Sequence, residues 1–250
     1  MKIIISPAKK MNHDTDTCSF RDHPLFLDQT KTILAYLKSL SPAQLQKLWN
    51  CNDKIAQQNI DRLNSMDLES GLTPAIISYE GIQYQYMAPS VFSKDALDYV
   101  CGRLRILSGF YGILRPFDGV TPYRLEMQSK AKIDGKKDLY DYWGDRIYKE
   151  LTADDHVILN LASKEYSKCI EKYLTPEDTF ITCVFGETSG DKVIQKATLA
   201  KMARGEMVRF LAETGGQTPE DAKRFNRMGF SYRKDLSNEK EYVFIKESHS

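Results

Sequence analysis

Met1-Lys-Ile-Ile-Ile-Ser-Pro-Ala-Lys-Lys10 opens the chain. Lys2 to Ile5 is a short run dominated by β-branched residues, which predicts a buried strand. The apolar run ends at Ser6, so it is too short to be the core of a signal peptide. We expect Ser6 to cap a turn at the end of the strand, with Lys9 and Lys10 projecting towards an anion.

The rest of the chain mixes helices and short strands without a regular β-α alternation, which predicts an α+β fold. No linker, repeat or low-complexity tract interrupts the pattern, so residues 1–250 are expected to form a single compact domain. Helices are predicted at 24–40, 43–50, 53–66, 93–103, 138–151, 163–173 and 198–213, and a short one after Pro219. Further strands are predicted at 74–79, 123–127, 156–161, 180–185, near Val193, 230–233 and 242–246, with a turn at 187–191.

Two local elements have features of phosphate-binding backbone. Residues 41–66 have the two-helix form of a helix-hairpin-helix element, although their turn contains no glycine. Ser108-Gly-Phe-Tyr-Gly112 is similar to a phosphate-cradling loop, because Gly109 and Gly112 would let backbone N–H groups face an anion. The stretch is neither a P-loop nor a dinucleotide fingerprint.

The helix predicted at 198–213 has an apolar face and an opposite arc that carries Lys201, Arg204 and Arg209. Gly205 lies within that arc, where glycine costs about 1 kcal/mol relative to alanine. Two explanations remain open for it: a phosphate approaches the bare backbone, or another helix packs closely there. Glu206 is expected to be buried and paired with an arginine.

A loop bounded by proline contains Arg115, Tyr123, Arg124 and Glu126. Arginines interleaved with aromatic residues suit phosphates and bases. The aromatic segment that follows includes Trp143, for which packing in the core is the favoured interpretation.

The charge balance is close to neutral, with 35 basic against 34 acidic residues, unlike most nucleic-acid binders. The distribution is uneven, however. Residues 1–10, 103–150 and 196–234 together carry +11, and the remaining segments carry −10. If the three basic segments converge, they form a local cleft that attracts phosphate; otherwise the charges interleave on a solvated surface.

The five cysteines and four histidines are scattered, without a C-x-x-C pair or a metal-binding spacing. This indicates reduced thiols in a cytoplasmic protein, and we expect no metal or cofactor. No stretch is long and apolar enough for a membrane helix. Ser6-Pro-Ala-Lys9 matches the S-x-x-K motif of penicillin-binding enzymes, but the companion motifs are missing, so catalysis is not indicated.

Several long blocks in the same order identify a resemblance to the YaaA family of peroxide-stress-resistance proteins. The resemblance covers essentially the whole chain and is carried by Ile4–Lys9, Leu104–Pro116, Pro122–Met127, Asp138–Asp145, Asn160–Ser163 with Glu165-Tyr166, Ala203–Gly205 and Gly229–Tyr232. Residues 186–200 are the part least similar to the family.

The resemblance implies an unusual α+β fold, called the cantaloupe fold, with a basic cleft and a helix-hairpin-helix-like element. It also implies a cytoplasmic protein of hydrogen peroxide defence, linked to iron homeostasis, DNA binding and DNA repair. No catalytic activity is implied.

Residue chemistry and resemblance together predict a monomer that binds duplex or branched DNA without sequence specificity and limits iron-dependent oxidative damage. The predicted phosphate-binding residues are Ser6, Lys9, Lys10, Arg105, Gly109, Gly112, Arg115, Tyr123, Arg124, Lys201, Arg204, Gly205 and Arg209. An alternative is an enzyme for a phosphorylated or nucleotide substrate, with a polar pocket built from Ser6, Lys9, Arg115, Tyr123, Arg124, Glu126, Asn160 and Ser163. A weaker alternative is iron binding through carboxylates, against which the scattered histidines and cysteines argue.

Overall fold

The strand predicted at the start of the chain lies near the centre of the main sheet. In a computed structural model that describes residues 1–190 and 192–247, this strand, β1 (Lys2–Ile5), has the expected bounds and is buried throughout. It pairs in parallel with Leu104–Ser108 on one side and with Val157–Leu161 on the other. Three consecutive isoleucines fit this position, because a strand covered on both faces needs apolar residues at every position.

Strands and helices are interspersed irregularly along the described residues. The further strands are β2 (Lys10–Met11), β3 (Thr73–Pro74), β4 (Tyr79–Glu80), β5 (Leu104–Ser108), β6 (Gly112–Leu114), β7 (Gly119–Val120), β8 (Val157–Leu161), β9 (Thr179–Ser189), β10 (Lys192–Ile194), β11 (Phe230–Tyr232) and β12 (Glu241–Lys246). The helices are α1 (Leu27–Lys38), α2 (Pro42–Trp49), α3 (Asp53–Asn64), α4 (Ala75–Ser78), α5 (Ile82–Met87), α6 (Lys94–Arg103), α7 (Leu139–Trp143), α8 (Arg146–Leu151), α9 (Lys164–Glu171), α10 (Ala197–Thr214) and α11 (Pro219–Ala222). Single 3₁₀ turns occur at Pro89–Val91 and Lys234–Leu236.

The main sheet is mixed and runs in the order β11-β12-β9-β8-β1-β5-β6, with β10 paired to β9. Its five inner strands are parallel, whereas β6 and β11 are antiparallel edges. A compact domain that mixes helices and strands is therefore confirmed, but the parallel centre makes it an α/β arrangement. Irregular spacing along the chain hid this, because β1 pairs with strands that are distant in sequence. The carboxyl ends of β1, β5 and β8 consequently meet at one edge, where parallel sheets commonly bind ligands.

Three predicted elements are wrong. Residues 74–79 contain the single helical turn α4 between the short strands β3 and β4, since a short apolar run does not distinguish a buried helical turn from a strand. Residues 123–127 belong to no strand, because the period-two pattern there meets no neighbouring strand. The helix at 138–151 is two helices, interrupted at Gly144 with a φ of 55°.

Smaller differences concern element ends. The helix predicted from residue 24 begins at Leu27, and the helix predicted at 53–66 ends at Asn64. The turn predicted at 187–191 begins later, because β9 continues to Ser189; Asp191 lies outside the described residues. His249 also lies outside them.

Gly205 sits where α10 crosses α5. A Cβ added there would lie 2.1 Å from the Gln83 carbonyl oxygen and 2.9 Å from the Met87 nitrogen. Close helix packing therefore accounts for this glycine, and the contact fixes Gln83 and Arg204 relative to each other. In residues 1–190 and 192–247, no helix has the length and apolar character needed to cross a membrane.

We expect Gly205→Ala to lower the free energy of unfolding by about 3 kcal/mol, because α5 must move to admit the methyl group. The matched control is Gly102→Ala in α6, where an added Cβ meets nothing within 4 Å. That substitution should raise stability by about 0.5 kcal/mol through helix propensity. Urea unfolding measures both changes, and equal effects of the two substitutions would contradict the packing account.

Candidate functional site

A cleft of about 410 Å³ opens beside the carboxyl ends of β1 and β8. Ser6 follows β1, and Ser163 precedes α9 just after β8. The Ser163 N–H donates to the Ser6 hydroxyl at 2.8 Å, and that hydroxyl donates to the Ser163 hydroxyl at 3.2 Å. We call this cavity the inner cleft; it is lined by Ser6, Pro7, Ala8, Lys9, Lys10, Glu80, Gly81, Ile82, Gln83, Tyr84, Tyr123, Arg124, Leu125, Glu126, Ser163, Glu165, Tyr166, Lys201 and Arg204.

Three of these side chains have buried nitrogen atoms without a hydrogen-bond partner. They are the Nε atoms of Arg124 and Arg204 and the Nε2 atom of Gln83. Burial lowers the pKa of the Arg204 guanidinium below its usual value. An unmet buried donor costs about 1–3 kcal/mol, so the inner cleft carries a cost that a bound acceptor would remove.

Lysines and acids border the same cleft. The Lys9 ammonium pairs with the Glu126 carboxylate at 2.9 Å, and Arg124 approaches the same carboxylate at 3.5 Å. Lys10 pairs with Glu80. Glu126 is thus balanced by two cations. Within residues 1–190 and 192–247, neither Lys201 nor Arg204 forms an ion pair, so their positive charges are not neutralised by a carboxylate.

Burial raises the pKa of the Glu165 carboxyl above its usual value. Its Oε1 atom accepts a hydrogen bond from the Gln128 N–H at 3.2 Å. Because the protonated carboxyl is neutral, the raised pKa favours the form of Glu165 that adds no negative charge to the inner cleft.

A second cavity of about 550 Å³ shares Lys9 and Glu126 with the inner cleft, so that ion pair forms the boundary between the two. We call it the outer cavity; its other lining residues are Tyr36, Leu40, Gln44, Lys47, Leu48, Trp49, Asn50, Gln128, Ser129 and Lys130. Trp49 is buried there with an unpartnered Nε1 atom. We call the two cavities together the groove. It is lined by seven cationic and three acidic residues.

The turn between α2 and α3 borders the outer cavity. Ser41 and Gln44 form a capping box at the start of α2. Asn50 ends α2 in the left-handed conformation, with a φ of 45°. Asparagine tolerates this conformation, so the absence of glycine from 41–66 does not prevent a tight hairpin.

Lys9, Lys10, Arg124, Lys201 and Arg204 come together at the inner cleft with Ser6 and Tyr123, so seven of the thirteen predicted phosphate-binding residues converge. Of the eight residues of the alternative polar pocket, the convergent ones are Ser6, Lys9, Tyr123, Arg124, Glu126 and Ser163.

The other predicted residues lie elsewhere. Arg105 donates to the carbonyl of Leu104 at 2.8 Å. Gly109 and Gly112 are buried, and a Cβ on Gly109 would lie 2.7 Å from the Leu125 carbonyl oxygen. Their stretch is a buried connection between β5 and β6, held by a hydrogen bond of 3.0 Å from the Trp143 indole to the Gly109 carbonyl. Core packing of Trp143 is thereby confirmed.

Arg209 is on α10 but outside the groove. It pairs with Glu213 at 2.8 Å, while Arg227 pairs with Glu206 at 3.3 Å and also with Glu213. The expected pairing of Glu206 with an arginine is confirmed. Asn160 is buried and donates to the Thr182 hydroxyl at 3.1 Å, also outside the inner cleft.

Sequence reasoning missed Gln83, Tyr84, Trp49, Lys47 and Lys130. The first two belong to α5, a helix that the pattern analysis did not predict. The Tyr84 hydroxyl donates to the Ser6 carbonyl at 3.0 Å. The sequence offers no signal for Gln83, because it does not distinguish this buried glutamine from the exposed Gln85 on the same helix.

Cysteine and histidine side chains are dispersed in space as well as in sequence. The five cysteines are free, and the His156 Nδ1 atom pairs with Asp178 at 2.8 Å. Among residues 1–190 and 192–247, no group of three or more histidine, cysteine, aspartate or glutamate side chains is placed to hold a metal ion.

Arg115 lies outside the groove in an internal ion pair. Its Nε atom donates to Asp118 Oδ1 at 2.8 Å, and a terminal nitrogen donates to the His23 carbonyl at 3.1 Å. Asp118 is fully buried, and burial outweighs the arginine, raising the pKa of its carboxyl from 3.8 to about 6. Arg115 is therefore already engaged by the fold.

The raised pKa makes the stability of this region depend on pH. Folded protein holds the Asp118 proton more tightly than unfolded protein, so this contribution is full below about pH 4 and is lost as pH rises through 6. Asp118→Asn removes the titration, and we expect its stability relative to the unsubstituted protein to rise by ~2 kcal/mol between pH 4 and 7. Denaturant unfolding at both pH values measures this; a constant or opposite difference would contradict the assigned pKa.

Comparison with known proteins agrees with the resemblance in the sequence blocks. The family described as peroxide stress protein YaaA matches residues 1–236. A UPF0246 protein of Agathobacter rectalis is 56% identical over 244 residues, covering 98% of both chains. A UPF0246 protein of Desulfitobacterium hafniense is 57% identical over 246 residues, also covering 98% of both. A chain so similar over its whole length belongs to the YaaA family of peroxide stress proteins, which includes the UPF0246 proteins.

Proposed function

We propose that the protein acts in peroxide-stress defence by binding the backbone of duplex or branched DNA along the groove. The observation that carries this proposal is the excess of seven cationic over three acidic lining residues in two adjoining cavities. The family supports the stress role, and the groove supports the choice of a polyanion as partner.

Local charge matters more than net charge for such binding. The whole chain carries only +1, yet Lys9, Lys10, Lys47, Lys130 and Lys201 are exposed along the groove. Contacts of this kind recognise phosphates and not base edges, so binding is independent of sequence. The hairpin at Asn50 adds backbone N–H groups near the outer cavity, in the manner of a helix-hairpin-helix element.

Backbone binding also gives a physical route to limiting iron-dependent damage. DNA holds a condensed layer of cations, and a protein that neutralises phosphates releases them. Ferrous iron bound in that layer would be displaced from the covered stretch, so hydroxyl radicals would form farther from the backbone.

Lys47→Glu combined with Lys201→Glu places a negative charge in each cavity. We expect at least a tenfold loss of affinity for duplex DNA, together with a shallower salt dependence, because each lost phosphate contact reduces the slope by about 0.9. Fluorescence anisotropy at several salt concentrations measures both quantities.

The matched control is Lys94→Glu with Lys240→Glu, which makes the same charge change at exposed positions that do not line the groove. Its affinity should remain within threefold of the unsubstituted protein. Equal losses in the two double variants would mean that general charge, and not the groove, attracts DNA.

A second candidate is an enzyme acting on a phosphorylated or nucleotide substrate. It is favoured by the convergence of Ser6, Lys9, Tyr123, Arg124, Glu126 and Ser163 in a cleft of about 410 Å³, a volume typical of small-molecule sites. Conversion of a nucleotide that disappears in Ser6→Ala, while DNA affinity persists, would support this candidate. Absence of any conversion across a nucleotide panel would reject it.

A further inference from the structure

The unmet buried donors of the described chain are concentrated in the groove. All four buried side-chain atoms without a partner are N–H donors, and three of them belong to the inner cleft. Gln83 is only 7% exposed, yet its amide nitrogen has no acceptor in the part of the chain that the structure describes. Since buried donors normally find acceptors, the inner cleft is arranged for a ligand rich in oxygen atoms.

The charge of the inner cleft identifies the kind of ligand. Arg124 and Arg204 line it with two guanidinium groups, and Lys201 is exposed at its border. Lys10 is also at the border, where it pairs with Glu80. The first turn of α9, which begins at Lys164 directly after Ser163, adds a partial positive charge. A small dianion with several free oxygens matches these groups better than a single carboxylate does.

We propose that the inner cleft binds a terminal phosphate, the phosphomonoester found at a DNA end or on a free nucleotide. A monoester carries about −1.5 to −2 charge at pH 7 and three free oxygens, enough to engage Gln83, Arg124 and Arg204 together. A backbone diester carries a single negative charge and fewer free oxygens, so it would engage fewer of these donors than a monoester does.

The proposal rests on the proposed DNA binding for one of its two ligand sources. The outer cavity, with Lys47 and Lys130, would hold the backbone that leads away from the end. The Lys9–Glu126 pair lies between the two cavities, where the strand would pass from one to the other. A protein so arranged would prefer phosphorylated DNA ends to uninterrupted duplex.

The test compares one duplex sequence in four forms: with 5′-phosphates, with 3′-phosphates, with hydroxyl ends, and closed by hairpins so that it has no ends. Anisotropy should show at least tenfold tighter binding for one phosphorylated form than for the hydroxyl and closed forms. Gln83→Leu and Arg204→Met should reduce that preference below threefold, because each removes a donor of the inner cleft. Lys130→Met, in the outer cavity, should weaken all forms equally.

Free adenosine monophosphate and inorganic phosphate distinguish the two sources. For a DNA-end site, adenosine monophosphate competes with phosphorylated duplex but not with closed duplex. If it raises the melting temperature of the protein while no duplex binds, the terminal-phosphate site stands and DNA binding is wrong.

If all four duplexes bind equally and neither free compound changes the melting temperature, DNA binding stands and the terminal-phosphate site is wrong. The melting-temperature measurement on unsubstituted protein decides the matter even if Arg204→Met fails to fold.

Discussion

The parallel pairing of β1 with β5 and β8 is the constraint on which the site depends. It brings the carboxyl ends of these strands to one edge, so that Ser6 and Ser163, 157 residues apart in sequence, are joined by hydrogen bonds. The close crossing of α10 and α5 at Gly205 then brings Arg204 and Gln83 to the same cleft. The arrangement of the backbone therefore explains why these polar residues lie together.

The groove illustrates how an almost neutral protein can attract a polyanion. Its lysines are exposed to solvent, whereas Arg124 and Arg204 are partly buried and have unmet N–H groups. Burial without a partner works against stability. A fold that retains this cost at one place is typical of a ligand site, where local rules are broken in favour of binding.

Local features of the fold could be predicted from the sequence, and tertiary ones could not. The bounds of β1 and the two-helix form of residues 41–66 followed from residue patterns over a few positions. Arg115 and Arg204 are equally plausible phosphate ligands in the sequence. In the fold, Arg115 forms an ion pair with Asp118, whereas Arg204 lines the inner cleft. Trp49 joins the site only because α2 lies beside the loop at 126–130, a proximity that no spacing reveals.

Hydrogen–deuterium exchange with and without saturating closed duplex DNA tests the central claim most directly, because it locates the DNA-binding surface without any substitution. The account predicts slower exchange of backbone amides at 47–53 and 124–130, which border the groove. Slower exchange confined to residues 219–242, at the β11 end of the main sheet, with unchanged exchange along the groove, would contradict it.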